Sequence, residues 1–545
     1  MQRRNFIKLT STASALTLLP SDVFAILKSS GMAFCPDTSS KKIVLIQLAG
    51  ANDGLNTLVP INQYDLYSNL RPNIRIKDTG IHKYIPLDST LSSENQIGLH
   101  PVLKGFKSLY DSGLMKIIQG VGYPNNNKSH FKSSDIWLSG GDGTPANFTY
   151  ESGWIGRFIE NYYTNYLQSN FPLGIQLGSG DNSLGFHGEK EHRLSININN
   201  QDFSGFYSVV NGLGGSPPTN IPNSEYGEKL QFLIDVDASA NKYGETISTA
   251  FNVGSNTVSY SQTDLSNQLK TVARFISGGL ETKIYLVRIG GFDTHDSQVA
   301  SSTESHKGNH ANLLKEVSDA VHSFITDLNN QNKGNDVVAL TFSEFGRKAA
   351  ENANLGTDHG EVAPMFIFGN SITPGVTGTN VNLNEAVLEN NFQTQTIQYD
   401  YRSVFGTILQ DWLGTANDTL DLSLFDKTLN TGFGNSKIQN LIKNNHLVPP
   451  TCYSSKATAF NTNQKYDVIL SPNPGIEVVN LNSLYNNDII SCTLYSIDGK
   501  LIGKYYNTIA STFFQINVQS LSVGYYNIIV ETKFDVFSKR LIIRR

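Results

Sequence analysis

Three apolar runs along the chain end in the same way. Ile43–Leu48, Ile284–Ile289 and Val337–Phe342 are short, nearly continuous and rich in β-branched residues, the pattern of strands buried on both faces. Each passes into glycine and charged or imidazole residues. The first gives Ala49-Gly50-Ala51-Asn52-Asp53-Gly54, the second Gly290-Gly291-Phe292-Asp293-Thr294-His295-Asp296. The third gives Ser343-Glu344-Phe345-Gly346-Arg347 and, after a polar loop, Thr357-Asp358-His359-Gly360. An open α/β sheet places its crevice at the carboxyl ends of its strands, so the three endings predict one shared site.

Met115–Val121 and Pro364–Gly369 read as further strands. Helical spacing appears at Leu103, Phe106 and Leu109, over Trp154–Leu167, over Asp264–Ile276, over Ala311–Leu328 and over Arg402–Leu413. Alternating strands and helices predict a doubly wound, mostly parallel α/β sheet with helices on both faces, spanning about residues 40–445. Residues 170–262 are rich in Gly, Asn and Ser without a period, and read as an insertion or cap. Residues 446–464 read as a linker. From 465 to 545 only short strands follow, with Asp498-Gly499 as a hairpin turn, which predicts a small all-β sandwich.

At 545 residues the chain is long enough for more than one domain. Its 42 basic and 47 acidic residues leave a net charge of −5, which offers nothing to nucleic acid. Three cysteines (Cys35, Cys452, Cys492) make neither a disulfide framework nor a thiolate metal site. Residues 1–30 read as an export signal: Arg3-Arg4 precede a short apolar run ending at Leu19, with a cleavage region near Ala25. The paired arginines point to the twin-arginine route, and an ordinary Sec signal is the alternative. No other run is long and apolar enough for a transmembrane helix.

Asp53, Asp293, His295, Glu344, Asp358 and His359 are oxygen and imidazole donors, a set that suits zinc, manganese, magnesium or calcium. Taken singly, each also reads as a cap, turn or ion pair. Asp53-Gly54 fits a turn, and Asp358 fits a helix cap. Ser129 is a candidate nucleophile beside His130, or else the two are a loop serine and a hydrogen-bonded histidine. Arg347 fits an oxyanion clamp, or else a solvated arginine at a helix start.

The segments LAGANDGLNTLVP, QGVGYPNNNKSHFKSSDIW, GGFDTHDSQ, LTFSEFGRK and GTDHGEVAPMFIFG resemble the family called domain of unknown function 1501, from about Lys42 to Leu413. That family is similar to the alkaline phosphatase and sulfatase superfamily, whose doubly wound sheet carries two metals. The resemblance implies that Asp53 is a first-strand metal aspartate and that Asp293 and His295 are an Asp–His ligand pair. It implies that His359 is a late histidine ligand and that Glu344 stands for the Asp of a second pair. The chain departs from the superfamily at Phe345, which stands where that pair has its histidine, and shows no standard nucleophile motif. The tail segments SPNPGIEVVNL, LYSIDGKLIG, LSVGYYNIIVET and KRLIIRR resemble the C-terminal sorting domain of type IX secretion. That resemblance implies type IX machinery as partner and a surface or secreted location. Two functions stay open: a metal-dependent hydrolase of phosphate or sulfate esters, and a non-catalytic surface protein that binds a ligand.

Overall fold

The computed structural model describes residues 38–144, 152–163, 169–178, 183–189, 195–198, 243–424, 433, 436–449, 468–473, 475–483, 488–496, 500–507, 511–533 and 536–544. The leader, most of the 446–464 segment and much of 170–262 lie outside them. The chain divides into two compact units, Met1–Cys452 and Tyr453–Arg545.

In the first unit nine strands share one sheet. They are β1 (Lys42–Leu48), β2 (Met115–Gly122), β3 (Gly174–Leu177), β4 (Ser195–Ile198), β5 (Ile284–Ile289), β6 (Val337–Phe342), β7 (Ala363–Phe368), β8 (Gly375–Thr377) and β9 (Tyr399–Asp400). Their order is β8-β2-β7-β6-β1-β5-β3-β4, with β9 also paired to β2. β1 lies between β6 and β5, with Ile43 opposite both Val338 and Ile284. A strand paired on both edges and covered on both faces has no polar side, which is why this run reads as continuously apolar. The pairings are parallel except those of β7, which runs antiparallel to both β2 and β6.

Seven helices concern the argument: α1 (Lys104–Asp111), α2 (His130–Ser139), α3 (Trp154–Tyr162), α4 (Asp264–Ser277), α5 (Asn309–Asn330), α6 (Tyr401–Leu413) and α7 (Asn417–Leu424). Phe106 of α1 packs 5.0 Å from both Phe366 and Phe368 of β7. Phe368 lies opposite Ala339 in the ladder, so these rings share Ala339's face of the sheet. Phe342, three residues on along β6, points to the other face. There Trp137 of α2 stacks on it at 5.5 Å and Phe405 of α6 meets it edge-on at 5.9 Å. Helices therefore cover both faces: α1, α4 and α5 pack together on one, and α2, α3, α6 and α7 on the other.

The mostly parallel sheet with helices is the fold class that the alternation predicts. Within 170–262, Gly174–Leu177 is a member of the central sheet beside β5 rather than part of a cap. Four residues are too few to display a period, and their flanks carry the Gly and Asn of a loop. Residues 243–253 are helical.

The second unit holds a three-stranded sheet of Val468–Ser471, Val478–Ser483 and Phe513–Asn517. A four-stranded antiparallel sheet comprises Ile489–Ser496, Leu501–Tyr506, Gly524–Thr532 and Val536–Ile543. Val479, Leu481 and Ile516 from the first and Cys492, Leu494, Ile528 and Leu541 from the second share one apolar core. Alternating burial along these strands gives the sandwich its two inner faces.

Candidate metal centre

The direction of β7 assembles the site. β1, β2, β5 and β6 are parallel, so the segments that follow them leave at one edge of the sheet. β7 runs the opposite way, so the segment that precedes it arrives at that same edge. His130 (after β2, first residue of α2), Asp293 and His295 (after β5), Glu344 and Arg347 (after β6), and Asp358 and His359 (before β7) therefore meet. Gly50, after β1, has φ +112°, and a Cβ there would sit 2.4 Å from the Asp293 nitrogen. That close approach of the β1 and β5 loops admits only glycine. An isolated antiparallel bridge between Arg347 and His359 ties the β6 exit to the β7 entry.

Three imidazole nitrogens and one carboxylate oxygen face one another at the centre. His130 Nε2 lies 3.0 Å from His359 Nε2, and His295 Nε2 lies 2.8 Å from the same atom. Asp293 Oδ1 is 3.2 Å from His130 Nε2, 3.2 Å from His295 Nε2 and 3.5 Å from His359 Nε2. His130, Asp293 and His359 offer ligand atoms all within 4.8 Å of one another, and His295 joins through His359 and Asp293.

The outward nitrogens decide what the inward ones present. His130 Nδ1 donates to Glu344 Oε1 at 2.8 Å, His295 Nδ1 to Asp358 Oδ1 at 3.1 Å, and His359 Nδ1 to the Lys128 carbonyl at 2.7 Å. All three acceptors demand a proton on Nδ1, so in the neutral rings every Nε2 carries a lone pair. Lone pairs facing at 2.8–3.0 Å repel unless a cation or a proton lies among them. Imidazoles backed by carboxylates or carbonyls and converging with one carboxylate fit a divalent metal.

Neighbouring charges set the protonation of the centre's groups. Arg347 Nη2 lies 2.6 Å from Asp293 Oδ1. Although burial works to raise it, the Asp293 carboxyl is held down to about 2 by that guanidinium and the nearby histidines. Burial opposes protonation of His130, yet Glu344 and Asp293 lift its pKa above the ordinary value. His359 is lowered, chiefly by burial, with Arg347 and the other two histidines adding to the effect. Asp358 is lowered against burial by Asn352, His295 and Lys348.

Of the residues singled out in the sequence, Asp293, His295 and His359 meet directly, and His130 stands with them. Glu344 and Asp358 bear on the histidines' outward nitrogens. Glu344 also accepts from the Gly50 nitrogen at 2.7 Å. Asp53 is elsewhere engaged. It is fully buried, caps the short helix Gly54–Thr57 through Leu55 N, and binds Arg71 and Gln298, each at 2.6 Å. Arg71 carries no motif, so nothing in the sequence marks it as this partner. Arg347 is neither solvated nor turned outward. It binds the carbonyls of Gly50, Ala51, Phe292 and Thr357 besides Asp293. Phe345 packs 4.8 Å from the His130 ring and 5.0 Å from the His359 ring, an apolar wall behind both. Ser129 is exposed, just before His130.

An α/β protein with a His–Asp centre at the sheet edge is thus the class that fold and site define. Residues 244–419 match the family described as "Protein of unknown function (DUF1501)". That stretch holds Asp293, His295, Glu344, Arg347, Asp358 and His359, while Asp53, Ser129 and His130 fall before it. Residues 470–544 match the "Secretion system C-terminal sorting domain", which marks the chain as secreted or displayed at the cell surface. No curated protein matches. A solved alkaline phosphatase superfamily protein from Vibrio parahaemolyticus is 8% identical with a TM-score of 0.33, covering 93% of this chain and 82% of its own. The PsFucS1 sulfatase from Pseudoalteromonas sp. is 9% identical at a TM-score of 0.31, with coverage of 88% and 84%. Likeness at this level assigns no role to any residue. No described helix is long and apolar enough to cross a membrane.

Proposed function

We propose that the chain is an exported, metal-dependent hydrolase of phosphate or sulfate esters, delivered by the type IX machinery through its tail. The observation that carries this reading is the convergence of three lone-pair-bearing Nε2 atoms on Asp293 Oδ1. His130, His295, His359 and Asp293 would hold the ion. When bound, it polarises an ester oxygen and makes a nucleophile stronger at neutral pH. The other residues prepare that centre. Arg347 keeps Asp293 ionised and fixed, while Glu344 and Asp358 hold the ring orientation of His130 and His295. Ser129 is the candidate nucleophile. Ser133 on α2 and Ser343 after β6 are buried and tied, the first to Tyr123 Oη and the Glu344 carbonyl, the second to the Leu48 carbonyl and Asn52 N. Phe345, standing where the resembled superfamily has a histidine, favours a second reading: a surface protein that binds metal and ligand without turnover.

The test is hydrolysis of 4-nitrophenyl phosphate and 4-nitrophenyl sulfate by the zinc- or manganese-loaded full chain. Turnover that is abolished by chelator and falls at least about 100-fold in His130→Ala, the loss of a metal or nucleophile function, supports the hydrolase. A chain that holds metal stoichiometrically and turns over neither ester supports the second reading.

A further inference from the structure

The cations carried by the segments that build the centre are matched, Lys132 of α2 acting on Asp135 of the same helix. Arg347 lies 2.6 Å from Asp293, Lys128 Nζ 2.9 Å from Glu361 Oε1, and Lys348 Nζ 3.4 Å from Asp358 Oδ2. Arg347 also donates to four carbonyls through Nε, Nη1 and Nη2, so it has no free pair of N–H groups for two-pronged capture of a substrate oxygen. One carboxylate, Glu344, remains in excess, and it accepts from His130 and Gly50 rather than from a cation. A divalent ion added to this balance leaves the centre with a single net positive charge. Exposed Asp296, one residue beyond His295, pushes the local potential further in the negative direction.

From this matching we infer that the centre takes a singly charged tetrahedral ester, an organic sulfate or a phosphate diester, in preference to a doubly charged phosphate monoester. The inference rests on the metal-dependent reading above. A dianion gains its extra binding from a second unshared cation or a bidentate arginine. Here those groups are turned to Asp293, Glu361 and Asp358. Its second negative charge would face the carboxylates of Glu344 and Asp358, and like charges repel. A monoanion matches the net charge with nothing left over. Hydrolysis of either monoanion adds water across the ester bond, breaks the S–O or P–O bond and releases the alcohol with the acid anion, without any redox partner. Glu361 sets the discrimination by holding Lys128. With that carboxylate removed, Lys128 becomes a free cation on the segment that also fixes His359.

The experiment measures binding of methyl sulfate, dimethyl phosphate and methyl phosphate to the zinc-loaded full chain by calorimetry at pH 8. At that pH the monoester is doubly charged, its second pKa being about 6. At least one monoanion should bind about tenfold tighter or more than methyl phosphate, and comparing the two distinguishes a sulfate from a diester site. In Glu361→Gln, methyl phosphate should gain about tenfold relative to the monoanions. Tighter binding of methyl phosphate by the wild-type chain overturns the inference, as does a Glu361→Gln ratio that does not move, or failure of all three to bind. Turnover with 4-nitrophenyl phosphate preferred leaves the hydrolase standing and removes only this inference. Selective monoanion binding without turnover does the reverse.

Discussion

At the residue scale, each histidine of the centre is aimed by its outer nitrogen, and the acceptors that aim two of them are carboxylates. Partners of this kind orient a ligand ring and raise its basicity, and losing one costs about 10–100-fold in metal affinity. Glu344→Gln and Asp358→Asn should therefore each weaken zinc binding by that factor in competitive chelator titrations, with the metal stoichiometry unchanged. Affinities equal to wild type would mean that these carboxylates do not bear on the metal. The Asp293–His295 pair and His359 were legible as donors because they sit in short polar segments beside apolar strands. His130 looked like the companion of a serine, since sequence does not say where the start of α2 points. Asp53 looked like a ligand for the same reason as Asp293, a carboxylate after a buried strand. Its partner Arg71 lies eighteen residues away on a different segment, and only the fold brings the two side chains to 2.6 Å.

At the element scale, the antiparallel direction of β7 is what the apolar runs could not convey. Strand content follows from hydrophobicity and β-branching, while strand direction depends on connections that leave no local trace. The strand Gly174–Leu177 is too short to show a pattern, whereas β1, β5 and β6 are long enough to read as buried. The start of α5 gives this layer a test. His310 is fully buried against Asn52, its Nε2 2.9 Å from Asn52 Oδ1. Burial, joined by Arg71 and Arg347 against the opposing pull of Asp53, depresses its pKa to about 4. An unfolded histidine titrates near 6.5, so between these values the unfolded chain binds a proton that the folded chain refuses. Stability therefore falls as pH drops through that window, by up to roughly 3 kcal/mol, and His310 contributes no pH dependence above about 6.5. Urea unfolding of the metal-free chain should show a lower midpoint at pH 5.0 than at pH 7.5, and His310→Gln should flatten the difference. Equal wild-type midpoints would show that burial of this ring is not carried into the titration.

At the scale of the whole molecule, the tail has a sheet pair and apolar core of its own, and the donors of the centre named above all belong to the first unit. Removing residues 453–545 should leave metal binding within about twofold and block delivery beyond the periplasm, read by fractionation of cells. Loss of metal binding on truncation, or normal surface delivery without the tail, would contradict that division of labour. The division was legible because the composition shifts abruptly after the core, from helical periods to short alternating strands. Whether the three imidazoles and Asp293 hold a divalent metal is read by elemental analysis of the purified full chain. About one zinc-like ion per chain is expected, lost in the double variant His130→Ala with His359→Ala while far-ultraviolet circular dichroism stays unchanged. A wild-type chain that purifies metal-free, and whose melting temperature ignores added zinc, manganese, magnesium and calcium, would contradict it.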